Sequence, residues 1–404
     1  MTPAPLRHLL FALVWGMASL HAEEPYTIAV LISSQKGSIS DTVESIRHFT
    51  EKQVREWNRQ EQGLSGRKVK LLFLDDYEQG DQTKLNVREA LGDENLIGFL
   101  GLWSSSRGAG VTEMIGQSGV PFISEMSLDS LFADYPTIYT LTTSVSDDTR
   151  CFQRFLRDHF EDTLFVGVTG DLFTQAFHTA LTDLSDEVAL PSEHWIKPQE
   201  DIPPGKLQSI IADIRKQQPQ VLTLGVGSYR GGIVLKALAE ANIKVPVFFA
   251  TGSIPRMLRN MEGVNYEGPL YELGRSIPHV ENERLAALRR GGNVTEKEAQ
   301  FSNDDLAYGL TYRDMLAMML EAAAASEEST PIALRQQMVR GLSELRAGEQ
   351  VYHGLWRNWS FTEDRAVDQR LIIQWRPQGE SSLKLWPVQS QVTASSGETN
   401  LPVV

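Results

Sequence analysis

The segment Leu96–Ser127, LIGFLGLWSSSRGAGVTEMIGQSGVPFISEMS, contains one complete strand–helix–strand unit. An apolar run, Leu96 to Leu102, leads into three serines; a helical stretch, Arg107 to Gln117, and a second apolar run, Val120 to Met126, follow. Apolar runs without alternation are typical of strands buried on both faces of a parallel sheet. The segment therefore predicts a right-handed βαβ unit.

The same pattern recurs along most of the chain. Further candidate strands are Tyr26–Ser33, Val69–Leu74, Leu164–Thr169, Val221–Val226 and Val245–Thr251, with three shorter ones around Leu355–Phe361, Leu371–Trp375 and Leu383–Trp386. Between the longer runs, apolar residues recur at helical spacing, as in Phe152–His159 and Leu207–Ile214. Strands that alternate with helices predict an α/β fold with parallel sheets covered by helices. Because a single parallel sheet of a dozen strands is unusual, we expect two similar lobes.

Composition and charge narrow the class of protein. The 404 residues are 41% hydrophobic and 22% charged, which is typical of a globular chain. The 38 Lys and Arg residues against 52 Asp and Glu residues give a net charge of -14, and no basic patch is segregated, so we expect no nucleic-acid partner. A single cysteine, Cys151, excludes an intramolecular disulfide and a cysteine-based metal site.

The first 22 residues have the layout of a secretory signal. Arg7 precedes an apolar run, Leu9 to Met17, and the small residues Ala18, Ser19 and Ala22 follow. The apolar run is too short to span a bilayer of about 30 Å as a stable helix, so we expect cleavage after Ala22 rather than an uncleaved anchor. The sequence thus predicts a mature protein, not itself membrane-spanning, that works in the periplasm or the medium.

Candidate ligand-binding residues follow the strands. Ligands of open α/β sheets bind beyond the carboxyl ends of the strands, where helix N-termini offer N–H groups. The first lobe offers Ser104, Ser105, Glu125, Met126 and Ser127 at such ends, and the second offers Asp171, Phe173, Tyr229 and Thr251. A single serine suffices to cap a helix, so the surplus hydroxyls favour a site for an anionic group; simple capping is the alternative. Aromatic side chains at strand ends either cover an apolar ligand or belong to the core.

Signals for an enzyme are weak. The glycines from Gly225 to Gly232 only approximate a dinucleotide fingerprint and lack the acidic residue expected about 20 positions later. Phosphate-loop, nucleophile-elbow and zinc-helix motifs do not occur, and the histidines lack metal-ligand spacing. We therefore predict no catalytic residue, cofactor or metal, although a carboxylate pair assembled by the fold would leave hydrolysis open.

The order of several segments resembles a known family. These segments are YTIAVLIS from Tyr26, the opening segment Leu96–Ser127, IYTLTTSVSDDTRCFQRFL from Ile138, DLAYGLTYRDMLAMMLEAA from Asp305 and LIIQWRPQG from Leu371. Together they resemble the type I periplasmic solute-binding proteins, within them the leucine-binding-protein-like group that serves ABC importers of branched-chain amino acids and amides. The resemblance implies two Rossmann-like lobes with parallel sheets joined by three crossovers.

The resemblance also implies lobe boundaries. Residues 25–143 and 275–350 would form lobe 1, residues 144–274 and 351–388 would form lobe 2, and the tail 389–404 would be disordered. The ligand would bind between the lobes.

Site roles carried over from the family concern both lobes. Ser104 and Ser127 would hold a carboxylate with help from the Met126 backbone, and Phe173 would be the aromatic residue of the second lobe. Tyr229, Thr251 and Tyr308 would also line the cleft. Because no acid follows Val245–Thr251 to pair with a ligand ammonium group, Asp171 or Glu125 would replace it.

The resemblance implies a protein that binds a ligand without changing it chemically. The protein would bind a small amino acid, amide or carboxylate and present it to the membrane subunits of an ABC permease. A sensing domain of a signalling receptor is an alternative partner. A secreted hydrolase or oxidoreductase on the same scaffold is the alternative from a different class.

Overall fold

The computed structural model describes residues 23–34, 41–61, 63–198, 201–250, 254–259, 261, 263–274, 285–291, 295–345, 350–355, 358–361, 371–375 and 384–387. The predictions for the signal segment 1–22, for Thr251 and for the tail 389–404 lie outside these residues.

Two sheets form the framework. The strands are β1 (Tyr26–Ile32), β2 (Val69–Asp75), β3 (Leu96–Gly101), β4 (Phe122–Ser124), β5 (Ile138–Thr140), β6 (Asp162–Val168), β7 (Ala189–Ile196), β8 (Val221–Gly225), β9 (Val247–Phe249), β10 (Leu270–Gly274), β11 (Tyr352–His353), β12 (Asn358–Trp359), β13 (Leu371–Trp375) and β14 (Lys384–Pro387). The first sheet is parallel in the order β2-β1-β3-β4-β5. The second repeats that order as β7-β6-β8-β9-β10, and β13 and β14 extend it as antiparallel strands. The chain passes between the sheets after β5, after β10 and before β13, which confirms the predicted α/β fold of two lobes with three crossovers.

Helices cover both sheets. They are α1 (Asp41–Gln60), α2 (Gly80–Leu91), α3 (Ser105–Gly108), α4 (Thr112–Ser118), α5 (Val145–His159), α6 (Leu172–Asp183), α7 (Pro204–Gln217), α8 (Gly227–Glu240), α9 (Ile254–Arg259), α10 (Glu296–Ala299), α11 (Asn303–Ala324) and α12 (Pro331–Glu344). In the described part of the chain, none of the helices combines the length and apolarity that crossing a bilayer requires.

The helix of the opening βαβ unit differs from its prediction. Instead of one helix from Arg107 to Gln117, the structure has α3 and α4, separated by residues 109–111. Gly108 and Gly110 weaken the helix at this point, because a glycine loses more conformational entropy than other residues when it becomes helical. Gly108 also lies against the buried Met126 side chain, which leaves no space for a Cβ atom.

Each lobe has its own core. In lobe 1, α11 packs beside α1 and α12, and its Met315, Leu316 and Met319 share a cluster with Ile28 and Val30 of β1. In lobe 2, α5 and α6 bring aromatic rings against the second sheet: Phe152 lies 4.6 Å from Phe248 and 5.2 Å from Phe177 between ring centroids. Each sheet therefore holds a separate hydrophobic core that fixes the ends of its strands.

Residues 352–355 and 358–361 pack on lobe 1, whereas the resemblance implies lobe 2 for residues 351–388. The carboxylate of the fully buried Asp314 on α11 accepts hydrogen bonds from Trp359 Nε1 at 3.0 Å and from the Leu355 N–H at 3.1 Å. Burial raises the pKa of Asp314. Trp359 and Phe361 belong to the lobe 1 core, and the Phe361 N–H donates to the Leu345 carbonyl oxygen at 2.7 Å. A buried carboxylate that needs donors thus fixes this segment to the first lobe.

Glu298 should make the stability of lobe 1 sensitive to acid. Its buried carboxylate accepts from His48 Nε2 at 2.8 Å, Lys52 Nζ at 2.9 Å and the Thr295 N–H at 2.6 Å. Burial opposes ionisation, but these donors outweigh it and lower the pKa of Glu298 from 4.5 to about 2. Because the folded-state pKa lies below the unfolded one, the stabilisation is complete above pH 4.5 and is lost as the pH falls toward about 2.

We expect Glu298→Gln to lower the free energy of unfolding by about 2 kcal/mol at pH 7 and by much less near pH 3. Urea denaturation at both pH values measures the difference. Glu296→Gln, at an exposed position of the same helix, is the control and should change little at either pH. An equal loss at both pH values for Glu298→Gln would contradict this account.

Cys151 should be chemically inert in the folded protein. It lies buried on α5, and burial, followed by the nearby Asp148 charge, raises the pKa of its thiol to about 12. Since the thiolate is the reactive form, a colorimetric thiol reagent at pH 8 should react with folded protein about 100-fold more slowly than with urea-unfolded protein. Equal rates would show that the thiol is accessible.

Candidate functional site

The carboxyl ends of β3 and β4 bring the predicted serines together. The two strands are neighbours, with Gly101 paired to Ser124, so the segments that follow them leave the sheet side by side. Ser105 Oγ accepts from the backbone N–H groups of Ser127 and Leu128, each at 3.3 Å. Ser105 and Ser127 therefore lie close together at this edge of the sheet.

Each of the three consecutive serines has a different intramolecular partner. Ser104 Oγ caps α3 by accepting from the Arg107 N–H at 3.4 Å, and Ser105 holds the segment after β4. Ser106 Oγ donates to Asp171 Oδ2 at 3.0 Å and accepts from the Leu172 N–H at 3.0 Å, both in lobe 2. Helix capping, loop attachment and contact between the lobes therefore use one serine each.

The hydroxyl of Ser104 keeps its capacity to donate. Capping uses a lone pair of Ser104 Oγ, and the side chain is partly exposed, so its hydrogen can still reach a ligand carboxylate. The backbone of Met126, in contrast, is engaged inside lobe 1: its N–H donates to Ser124 Oγ at 3.3 Å and its carbonyl accepts from Thr140 Oγ1 at 2.7 Å. Ser127 is buried with its Oγ 3.5 Å from Thr142 Oγ1.

An ion pair that the sequence analysis missed connects three strand ends. Arg107 Nε lies 3.0 Å from Asp76 Oδ2, and Arg107 Nη2 donates to Ser33 Oγ at 2.9 Å. The side chains of Arg107 and Asp76 are 15% and 3% exposed, so the pair is shielded from water. Asp76 follows β2, Ser33 follows β1 and Arg107 lies on the helix after β3, so one cation links the ends of all three strands. An aspartate after one strand and an arginine after the next were visible in the sequence, but their pairing depends on strand order.

Backbone strain is concentrated at the same edge of the first sheet. Leu102 has φ +61°, and Tyr77 and Glu78 after β2 have φ +48° and +61°, which side chains larger than glycine seldom adopt. The Tyr77 N–H donates to Asp75 Oδ1 at 3.0 Å and the Glu78 N–H to Asp76 Oδ1 at 2.9 Å. Strained backbone that is held by side-chain hydrogen bonds is characteristic of ligand sites.

Aromatic residues line the site from α11. Tyr308, predicted as a site residue, lies half-buried with its ring 6.4 Å from that of Trp103, which follows β3. One turn further, Tyr312 is fully buried, and burial, followed by the charge of Glu125, raises its pKa well above 10. Glu125 is itself buried at the end of β4. The first lobe thus combines hydroxyl, cationic, acidic and aromatic groups within one edge of its sheet.

The second lobe contributes fewer of the predicted groups. Asp171 caps α6 by accepting from the Thr174 N–H at 2.8 Å and also contacts Ser106 of lobe 1. Phe173 packs against Phe177, with 5.0 Å between ring centroids, so part of its surface belongs to the lobe 2 core. Tyr229 lies in the first turn of α8 and is 58% exposed.

An acid that was not among the sequence-predicted candidates lies in the middle of β10. Glu272 is buried, and its Oε2 accepts from the N–H of Ile254 at the start of α9 at 2.8 Å. It pairs in register with Phe249, the last residue of β9. Across the described residues, no group of three or more His, Cys, Asp or Glu side chains is arranged to hold a metal ion.

Comparisons with known proteins agree with this architecture. The family model described as periplasmic binding protein matches residues 25–345. No curated protein matches the sequence. Among solved structures, the leucine-binding protein of Thermotoga maritima aligns with a TM-score of 0.68 at 10% identity, over 90% of this chain and 98% of the other.

Two further structures carry ligands. The branched-chain amino acid binding protein of Streptococcus pneumoniae, in complex with isoleucine, gives a TM-score of 0.69 at 11% identity, with 90% and 99% of the two chains covered. A solute-binding protein of R. palustris, in complex with benzoate, gives 0.68 at 13% identity, with 89% and 96% covered. At such identities the likeness establishes the fold alone.

The fold is that of the type I periplasmic binding proteins, with two α/β lobes built on sheets of the same strand order. The chain belongs to the periplasmic binding protein family.

Proposed function

We propose that this protein captures a small amino-acid-like, amide or carboxylate ligand between its lobes and delivers it, chemically unchanged, to an ABC importer. One observation carries the proposal: Ser106, which follows β3 of lobe 1, contacts Asp171 and Leu172, which follow β6 of lobe 2. The carboxyl edges of the two sheets therefore face each other, and a ligand between them would touch both lobes.

The chemistry of the lobe 1 edge supports a ligand with a carboxylate and an apolar part. Ser104 offers a hydroxyl hydrogen, and Trp103 and Tyr308 offer an apolar surface beside it. Leucine, isoleucine and benzoate, which the structural neighbours bind or are named for, share a carboxylate and an apolar body.

The location and lobe division belong to the same proposal. The signal segment 1–22 would direct the protein to the periplasm, where the membrane subunits of a permease would bind its closed form. Lobe 1 would comprise residues 25–143 and the segments from 295 to 361 that pack on the first sheet, and lobe 2 would comprise residues 144–274 with β13 and β14. Ligand binding would stabilise the closed form through its higher affinity for that form.

A thermal-shift panel tests the proposal. It would contain L-leucine, L-isoleucine, benzoate, their amides and short-chain carboxylic acids, with mass spectrometry of each compound before and after incubation. We expect at least one class to raise the melting temperature with no product formed. Conversion of any compound would favour the hydrolase or oxidoreductase alternative, and the absence of any shift would contradict the proposed ligand class.

The serine pair offers a direct test of the carboxylate site. Combining Ser104→Ala with Ser127→Ala should weaken binding of the stabilising panel compound about 100-fold, because hydrogen bonds to a charged group are strong. Isothermal titration calorimetry measures the loss. Ser118→Ala, which removes the hydroxyl of an exposed serine at the end of α4, is the control. Unchanged affinity in the double variant would remove the serines from the site.

A further inference from the structure

Ser106 and Asp171 make a contact that neither helix requires for its own capping. Ser104 already caps α3, and Asp171 Oδ1 already caps α6 through the Thr174 N–H. The second carboxylate oxygen, Asp171 Oδ2, and the Ser106 hydroxyl are therefore available for a bond between lobes. They form it at 3.0 Å, and the Leu172 N–H adds a second bond to Ser106 Oγ at 3.0 Å.

Both partners are fixed to the framework of their own lobe. On the lobe 1 side, Arg107 ties α3 to the ends of β1 and β2, and Ser105 ties it to the segment after β4. On the lobe 2 side, Thr174 Oγ1 of α6 donates to the Gly225 carbonyl oxygen at the end of β8 at 2.8 Å. The contact between Ser106 and Asp171 therefore joins two rigid bodies, so separating the lobes has to break it.

We propose that Ser106 and Asp171 form an inter-lobe latch that sets the population of the closed form. The bond from the Ser106 hydroxyl to the Asp171 carboxylate is charge-assisted, and such bonds are stronger than those between neutral groups. The latch assigns Asp171 to closure rather than to a ligand ammonium group. The expected effect on ligand affinity rests on the proposed function, whereas the expected effect on lobe closure is independent of it.

The latch predicts a coupling between closure and apparent affinity. A ligand that needs both lobes binds the closed form, so its apparent dissociation constant scales inversely with the closed fraction. Ser106 is thus a positioning residue: it changes affinity through the lobe equilibrium and without touching the ligand.

The experiment measures the distance between lobes in ligand-free protein. Spin labels on Arg59→Cys at the end of α1 and Asp183→Cys at the end of α6 place one label on each lobe at exposed positions, and the buried Cys151 is protected from labelling. Pulsed dipolar spectroscopy then gives the distance distribution. We expect Ser106→Ala to lower the ratio of closed to open molecules about tenfold, because two inter-lobe bonds are lost.

A second variant and a control make the test specific. Asp171→Asn keeps Oδ1 as the cap of α6 and replaces the Oδ2 acceptor, so it should shift the distribution in the same direction but less, because the bond from the Leu172 N–H to Ser106 Oγ remains. The double variant should shift it no further than Ser106→Ala alone. Ser118→Ala should leave it unchanged. The latch is refuted if Ser106→Ala and Asp171→Asn both match the parent distribution.

Measurements with ligand distinguish failure of the latch from failure of the proposed function. If L-leucine or benzoate binds, Ser106→Ala should speed its dissociation and weaken its affinity by the same factor that the distances report. If neither binds, the ligand-free distances alone decide the latch, while the proposed ligand class fails.

Discussion

Gly101→Ala should be among the most damaging single substitutions in lobe 1, lowering the free energy of unfolding by about 3 to 5 kcal/mol. Gly101 ends β3 with φ +109°, a conformation outside the regions open to residues with a Cβ atom. An added Cβ atom would lie 2.2 Å from the Leu31 carbonyl oxygen and 2.9 Å from the Tyr312 ring. Backbone of β1 and a fully buried tyrosine cannot both move aside at low cost. Urea denaturation measures the loss.

Gly119→Ala provides the matched control for this prediction. Gly119 also has positive φ, +70°, at the end of α4, but nothing lies within 4 Å of the position its Cβ atom would take. Alanine there should cost only the conformational term of about 1 kcal/mol. Equal losses for the two variants would show that contact with Leu31 and Tyr312 is unimportant.

Arg107→Leu is expected to destabilise the protein by about 3 kcal/mol, because it leaves the buried Asp76 carboxylate without its cation. The substitution also removes the bond from Arg107 Nη2 to Ser33 Oγ, so the ends of β1, β2 and β3 lose their common partner. Affinity for the stabilising panel compound should fall with stability, since α3 carries Ser106 and Ser104 caps it. Chemical denaturation and calorimetry on the same preparation measure both effects.

Two further variants test whether the unpaired charge of Asp76 causes the loss of stability in Arg107→Leu. Arg55→Leu removes an exposed arginine whose Nη1 lies 3.4 Å from Glu51 Oε2, and a surface pair of this kind should change stability by less than about 1 kcal/mol. Adding Asp76→Asn to Arg107→Leu should restore part of the loss, because the amide oxygen can still accept from the Thr83 hydroxyl without carrying a charge. The account is wrong if the double variant is less stable than Arg107→Leu alone.

The sequence predicts the architecture because strand burial is a local signal. The runs that became β1, β3 and β8 are apolar on both faces, which is expected of inner strands of a parallel sheet. The edge strand β7 was missed because most of its residues are exposed or only partly buried, and they include Pro191. The packing of residues 352–355 and 358–361 on lobe 1 has no local sequence signal, because it depends on Asp314, 41 or more positions earlier in the chain.

The proximity of candidate residues could be predicted from the sequence, but their individual contacts could not. Parallel strands end at one edge, so the proximity of Ser105 to Ser127 follows from strand order. Which atom each side chain contacts does not follow, and a run of three serines gives no indication that one caps, one holds a loop and one reaches the other lobe. The pairing of Arg107 with Asp76 likewise joins residues whose proximity only the folded sheet defines.

The most direct test of ligand capture between two moving lobes is small-angle X-ray scattering. The radius of gyration is measured with and without the panel compound that raises the melting temperature most. We predict a smaller radius of gyration in the presence of the compound, and recovery of that compound unaltered by mass spectrometry after the protein is unfolded. An identical radius in both conditions, at ligand concentrations that saturate the protein, would contradict it.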